Sequence, residues 1–410
     1  FMIKIDENLT VTSPVGFKAS GIHCGLKKSL LKKDLALIYS DVVATSCGVY
    51  TKNKVKGAPL TITKQHLINK KAQAIIINSG NANTCNGDDG LSKAKKMTHL
   101  CAKALSIKND DVLVASTGVI GVPLNIDAIK NGIPQLVGNL SSDIEGAKNA
   151  SMAIMTTDTV EKQAGIQLNI GGKKVTLAAM AKGSGMIHPN MCTMLGFITT
   201  DVNISKDLLY EALSNDIKDT FNMISVDGDT STNDTAILLA NGLAGNQEIT
   251  YASPEYETFK EALHMVNETL AKKMAGDGEG ATALFEVKVV GAESIKQAKT
   301  LAKSVVCSNL TKAAIAGHDA NWGRILCAMG YSGVQFDPEK VDLFFESKAG
   351  KLQIIENGVA TDYSEEVATK ILSEPEITAT ADIKMGDYSA TAWGCDLTHE
   401  YININADYRS

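Results

Sequence analysis

The stretch KGSGMIHPNMCTMLGFITTD, Lys182 to Asp201, sets the reading of this 410-residue chain. A glycine-rich, proline-bent approach runs into Thr193, and an apolar run, Met194 to Ile198, follows at once. That run reads as a buried strand, so a hydroxyl stands at the joint between loop and strand. Such a joint suits a residue that cleaves its own preceding peptide bond, with the Thr193 hydroxyl attacking the Cys192 carbonyl in a strained turn. The product is a chain whose first residue carries both a hydroxyl and a free α-amine. A Thr hydroxyl alone is a poor nucleophile, but a neighbouring amine can take its proton. An α-amine titrates near pH ~7.7–8.0, so roughly a tenth of it is free base at neutral pH. In isolation the same residues also fit a Gly-rich turn feeding a strand.

Working outward, strand-like and helix-like segments alternate. LALIYSDVVATSCGVYT (Leu35 to Thr51), AIIIN (Ala74 to Asn78), VLVAS (Val112 to Ser116) and TAILLANG (Thr235 to Gly242) read as strands. Ala164 to Ala181 reads as a hairpin turning at Gly171-Gly172. Ser205 can cap a helix with Leu209, Leu213 and Ile217 on one face. Ser253-Pro254 starts another, with Phe259, Leu263, Val266, Leu270 and Met274 at helical spacing, ending at the acidic loop GDGEG from Gly276. The last third gives strand, helix, helix, then strand pairs at VDLFFES and KLQIIENG. The polar tail reads as an end that frays. The class is α/β with mixed or antiparallel sheets, without repeat or Pro/Ser linker.

Composition narrows the function. The chain is long enough for two sizeable cores. Its 34 glycines suit tight loops and backbone close to a ligand. A net charge of −6, with no Lys/Arg cluster interleaved with aromatics, disfavours nucleic-acid binding. No run of about 18 or more apolar residues exists, so no membrane span is expected. FMIKIDENLT is too charged for a signal peptide, and Phe1 ahead of Met2 reads as a remnant of expression. The eight cysteines are scattered without a C-x-x-C pair, which argues against a zinc or redox motif and for reduced thiols in the cytoplasm.

The segment ending at Thr193 resembles the signature of the glutamate N-acetyltransferase family, also called ornithine acetyltransferase. That pattern is K-G-[SA]-G-M-[IL]-x-P-x-M-A-T-M-L, cut just before the Thr. The resemblance extends through INSGNANTCNG (Ile77 to Gly87), ASTGVIG (Ala115 to Gly121), MTTDT (Met155 to Thr159) and VDGDTSTND (Val226 to Asp234). It continues in GDGEGATAL (Gly276 to Leu284), GHDANWGRIL (Gly317 to Leu326) and the terminal YININADYRS. The resemblance implies layered mixed or antiparallel sheets flanked by helices, a self-cleaved N-terminal-nucleophile fold, and chains 1–192 and 193–410 that stay intertwined. It departs at Cys192, where the family usually has Ala. A small buried replacement explains this, and cleavage one residue earlier to give an N-terminal Cys is the alternative.

The resemblance also assigns roles. Thr193 is the nucleophile that holds the acetyl group as an ester. Thr117 and Gly118, after the strand VLVAS, supply a hydroxyl and a backbone N–H to the oxyanion. Lys182 matches a substrate-binding Lys, plausible for a carboxylate. Glu279 matches a substrate-contacting Glu that either pairs with the ornithine ammonium or relays protons. Thr156, Asn405 and Ser410 match further substrate contacts. Three look-alikes fall away. DGDTSTND from Asp227 has calcium-loop spacing, but position 6 is Thr232 and position 12 is Leu238. GDGEGA follows a helix and not a strand, unlike a dinucleotide loop. His188 sits five residues before Thr193 and reads as structural, since the amine already provides a base.

The expected reaction moves acetyl from N2-acetyl-L-ornithine to L-glutamate in arginine biosynthesis, by double displacement without ATP. No cofactor or metal is expected; some relatives also take acetyl-CoA as donor. The family implies an α2β2 heterotetramer of the cut chains. Two rivals are an N-terminal-nucleophile amidase or aminopeptidase, which passes the acyl group to water, and a non-catalytic amino-acid-binding protein.

Overall fold

The computed structural model of the chain describes residues 2–188 and 194–408. These fall into two compact units. The first holds described residues 2–183 and 194–222 together with Thr230–Leu270. The second holds Ser184–His188, Met223–Asp229 and the chain from Ala271 onward.

The first unit is built on β1 (Phe17–Ile22), β2 (Leu35–Tyr50), β3 (Lys71–Asn78), β4 (Val112–Ser116), β5 (Lys162–Ile170), β6 (Lys173–Lys182), β7 (Leu195–Thr200) and β8 (Thr235–Ala240). Among the described residues they form one eight-stranded sheet ordered β4-β3-β2-β8-β7-β6-β5, with β1 also on β2. The pairs β3–β4 and β7–β8 are parallel and the other pairs antiparallel, so the sheet is mixed. Successive strand residues point to opposite faces. Leu35, Leu37, Ala74, Ile76, Val112 and Val114 enter one core cluster, and Ala36, Ile38, Ile75, Ile77, Leu113 and Ala115 enter another. A sheet covered on both faces has to read as a continuous apolar run, as AIIIN and VLVA do. Helices Gly87–Leu105 and Ile126–Gly138 supply Met97, Cys101, Ile129 and Ile133 to the first cluster. Helix Ile144–Ala153 supplies Ala147, Ala150 and Ala153 to the second.

The second unit has β9 (Leu284–Ala292), β10 (Asp342–Ser347), β11 (Gly350–Glu356), β12 (Val359–Ala360), β13 (Glu376–Asp382) and β14 (Tyr388–Cys395). Their order is β12-β11-β10-β13-β9-β14, and of these pairs β13–β9 is parallel. Helix Ile295–Val306 packs on β9 and β14 through an apolar stripe that includes Ala298, Leu301, Ala302 and Val305. The expected class, α/β with mixed sheets flanked by helices, is the one observed.

Local expectations hold with exceptions. The hairpin turns at Gly171 and Gly172, whose φ of +57° and +80° fit a tight turn. Helix Lys206–Ile217 buries Leu209, Leu213 and Ile217, but the Ser205 side chain makes no cap hydrogen bond. Helix Pro254–Gly276 is capped as expected, Tyr256 N donating to Ser253 Oγ at 3.2 Å. The tail is not a frayed end up to residue 406, since His399–Ala406 is a helix. Each compact unit is built from segments on both sides of residue 193. Strands β7 and β8 come after it, yet lie between β2 and β6 in the first unit. Among the described residues no helix is long and apolar enough to cross a membrane.

Candidate active site

Within the first unit, β4 ends at Ser116 and hands the chain to Thr117 and Gly118. The turn is pinned by the asparagine-rich segment after β3. Ser116 Oγ donates to Asn78 Oδ1 at 2.5 Å, Asn78 Nδ2 to Asn81 O at 2.9 Å, and Thr117 N to Asn78 O at 3.0 Å. Gly118 has φ +134°, and any Cβ there would run into the Gly80–Asn81 backbone. Glycine is therefore required at the position expected to present an oxyanion N–H.

Lys182, the last residue of β6, is buried and reaches the same turn. Its Nζ donates to Thr156 Oγ1 at 2.8 Å and to Thr117 Oγ1 at 3.3 Å. A hydroxyl that accepts from an ammonium keeps its own proton to give, which suits Thr117 as a donor to developing negative charge. The structure thus brings together four of the expected residues: Thr117, Gly118, Thr156 and Lys182.

A buried ion pair holds this cluster. Asp158 accepts from Lys162 Nζ at 2.6 Å, both side chains fully enclosed, and from Gly183 N at 2.9 Å and Thr156 N at 3.2 Å. Burial alone would push the Asp158 carboxyl up, but the Lys162 and Lys182 ammoniums and the Gly183 N–H hold it at about 2. Breaking such a pair strands a charge in the interior. Lys162→Met is expected to lower unfolding free energy by roughly 3–5 kcal/mol, read from the urea midpoint. A change within experimental error would show that the pair holds nothing in place.

In the second unit the chain continues at Ser184. Ser184 Oγ donates to Asp277 O at 2.7 Å and Glu279 N to Ser184 O at 3.0 Å, which seats the GDGEG loop. Glu279 is buried, and its Oε2 accepts from Asn405 Nδ2 at 2.5 Å. A side chain at Gly185 would collide with the Glu279 carboxylate. Two expected substrate residues, Glu279 and Asn405, are therefore partners. Met186 adopts φ +53°, a strained left-handed geometry for a residue with a side chain. Asp227 fixes it, accepting from Met186 N at 2.7 Å and Ile187 N at 2.9 Å, and is itself held by Tyr401 Oη at 2.9 Å. His188 lies by Ser225 Oγ at 3.1 Å and Cys307 Sγ at 3.5 Å. Burial, then nearby Lys303, pushes its imidazole down to about 4, so it is neutral at ordinary pH. Thr193, Cys192 and Ser410 lie outside the described residues.

Two residues in VDGDTSTND were passed over in the sequence as parts of a failed cation loop. Asp227 clamps the segment leading to residue 193. Asn233 donates through Nδ2 to Ala82 O at 2.6 Å and Ser116 O at 2.9 Å, tying β8 to the turn before Thr117. Through these bonds Asp227 and Asn233 satisfy backbone groups.

The ArgJ family profile matches residues 18–410. The chain belongs to the ArgJ family. The arginine biosynthesis bifunctional protein ArgJ 1 of Clostridium acetobutylicum is 51% identical over 408 residues, spanning 100% of this chain and 99% of that one. ArgJ of Caldanaerobacter subterraneus subsp. tengcongensis is 50% identical over 397 residues, 97% of this chain and 98% of its own. Among solved structures, ArgJ of Bacillus halodurans is 48% identical, covers 46% of this chain and is itself covered over 98%, with a TM-score of 0.45. An ornithine acetyltransferase complexed with ornithine, from Mycobacterium tuberculosis, is 36% identical, at 46% of this chain and 100% of that one, with a TM-score of 0.44.

Proposed function

We propose that this ArgJ-family protein transfers acetyl from N2-acetyl-L-ornithine to L-glutamate through an ester on Thr193. The observation that carries the reading is Lys182, bonded to both Thr117 and Thr156 in a family member. In this scheme the chain first cuts itself between Cys192 and Thr193. The Thr193 hydroxyl then attacks the acetyl carbonyl while the α-amine takes its proton. Charge on the tetrahedral oxygen is met by the Thr117 hydroxyl and the Gly118 N–H. Ornithine leaves with a proton, and the glutamate amine attacks the ester to release N-acetylglutamate. Lys182 suits a substrate carboxylate. Glu279, fixed by Asn405, suits an amino group or the proton traffic between the two amines.

Fragments 1–192 and 193–410 assembled as α2β2, a contact from Ser410, and a cytoplasmic setting complete the proposal. No cofactor enters it, and acetyl-CoA has a place only as a second donor. The seven described cysteines are free, which accords with a reducing compartment.

Mass spectrometry of protein mixed with N-acetyl-ornithine tests the scheme. The fragment starting at Thr193 is expected to gain one acetyl group and lose it on adding glutamate. Loss at the same rate in buffer alone would favour an amidase, and absence of any acetylated species would sink the ester route.

A further inference from the structure

A cleft on the first unit takes no part in this scheme. Its volume is about 510 Å³, a size that accepts a small molecule, and Lys52, Lys56, Lys64 and Lys70 stand in its wall with Tyr50 and Tyr210. No Asp or Glu lines it. Among the described residues none of the four ammoniums has an ion-pair partner. Lys64 and Lys70 lie instead over the Tyr50 and Tyr210 rings, 4.9 and 5.7 Å from their centroids. Burial, then the charge of Lys56, pushes the Lys64 ammonium below the usual lysine range. Cations are crowded here without an anion among them.

The lysines ride on fixed backbone. Thr51 Oγ1 donates to Ser231 O at 2.8 Å, Asn53 Nδ2 to Thr230 O at 2.9 Å and Gly57 N to Thr232 O at 3.1 Å, which ties down the loop bearing Lys52 and Lys56. Lys64 belongs to helix Ala58–His66. Lys70 adopts φ +59°, a left-handed geometry uncommon for a residue with a side chain and typical of ligand clamps. The edge of β2 adds donors. Ser46 N donates to Lys70 O on the β3 side at 2.9 Å, and Thr51 N to Asp234 O on the β8 side at 3.0 Å. Alternation along the strand then turns the N–H groups of Gly48 and Tyr50 to the β3 side. There β3 starts only at Lys71, opposite Thr45, so no strand meets them. Neither makes a backbone hydrogen bond across that edge among the described residues. A Cβ at Gly48 would run into the Tyr50 phenol, so glycine lets that ring lie along the strand.

We propose that this cleft is a second ligand site, one that binds the polyphosphate group of a small molecule. Four ammoniums and two backbone N–H groups around one cavity call for several negative charges on one ligand. An amino-acid carboxylate carries a single one, so neither glutamate nor acetyl-ornithine matches this wall. Lysine meets phosphate as a point charge and needs no planar partner. Tyr210, 44% exposed, is the ring on which a nucleoside base can stack. The site shares no residue with the Thr117–Lys182 cluster, and the inference stands apart from the cleavage reading.

Calorimetric titration of the full chain with ATP and, separately, with inorganic tripolyphosphate tests this, both without divalent metal. Each is expected to bind at one site per chain. Lys64→Gln and Lys70→Gln are each expected to weaken both ligands about tenfold or more, the usual loss for one charge-assisted contact. Lys130→Gln, an exposed lysine on helix Ile126–Gly138, should leave both unchanged. Lys52→Gln, on the loop, decides the matter should either of the first two fail to fold. ATP bound at least tenfold more tightly than tripolyphosphate, with the gain erased by Tyr210→Ala, would make the ligand a nucleoside polyphosphate. Equal affinities would make the phosphate chain alone the group recognised. Absence of binding by either probe at millimolar concentration would overturn the proposal. So would cleft variants that bind like the wild type, or an equal loss in Lys130→Gln, which would leave only diffuse attraction to surface charge.

Discussion

Thr193→Ala is expected to remain one uncut chain with no measurable acetyl transfer. In the proposed scheme two losses coincide because one hydroxyl serves both events. There it breaks the Cys192–Thr193 peptide bond, and it later carries the acetyl group. Without it, the α-amine proposed as base would not be released either. Thr193→Ser keeps a hydroxyl and should be cut and retain part of the activity. Denaturing gels and intact mass read the first effect, and steady-state transfer to glutamate reads the second. The discriminating form is the Ala variant nicked at the loop by added protease. Turnover at the wild-type rate in that sample would exclude Thr193 as acyl carrier. A fragment beginning at Cys192 in the wild type would instead move the nucleophile by one residue.

Thr117→Ala is expected to slow turnover by about a hundredfold or more, the usual loss for one oxyanion donor. Ornithine binding should change little, because in the proposed scheme the donor acts on charge that develops only after attack. The structure adds a reason for this split. Lys182 remains bonded to Thr156 at 2.8 Å when its longer 3.3 Å contact with Thr117 is removed, so the cation stays in place. Thr117→Ser, which keeps the hydroxyl, should recover most of the rate. Equal losses in affinity and rate on going to Ala would make Thr117 a general substrate contact.

The strands of this protein were legible because burial on both faces demands runs such as Ile75–Ile77 and Val112–Ala115. The helices at 87–105 and 144–153 were harder. The second buries Gly146, Ala147 and Ala150, residues too small to print an apolar stripe. Thr117, Gly118, Thr156, Lys182, Glu279 and Asn405 could be named from the family resemblance. That Lys182 serves two hydroxyls, and that Asn405 grips Glu279, could not. Asn233 and Asp227 were invisible for a related reason. Asn233 acts on carbonyls 151 and 117 residues away, and Asp227 on amides 41 and 40 residues away. No local pattern encodes such distances, and the calcium-loop spacing that starts at Asp227 fails at its sixth and twelfth positions, Thr232 and Leu238.

The order of strands in the eight-stranded sheet carries a consequence for the life history of the molecule. Strands β7 and β8 follow residue 193, while their outer neighbours β6 and β2 precede it. A chain severed at that point remains joined by ladders of backbone hydrogen bonds, yet it no longer has a covalent thread to guide reassembly. Folding of the newly made chain is a first-order search. Once cut, recovery from denaturant becomes an encounter between two fragments, neither of which can complete the sheet alone, and it depends on their concentration. Recovery from heat or urea would then fall away on dilution, and in dilute solution survival would be governed by how slowly the sheet opens.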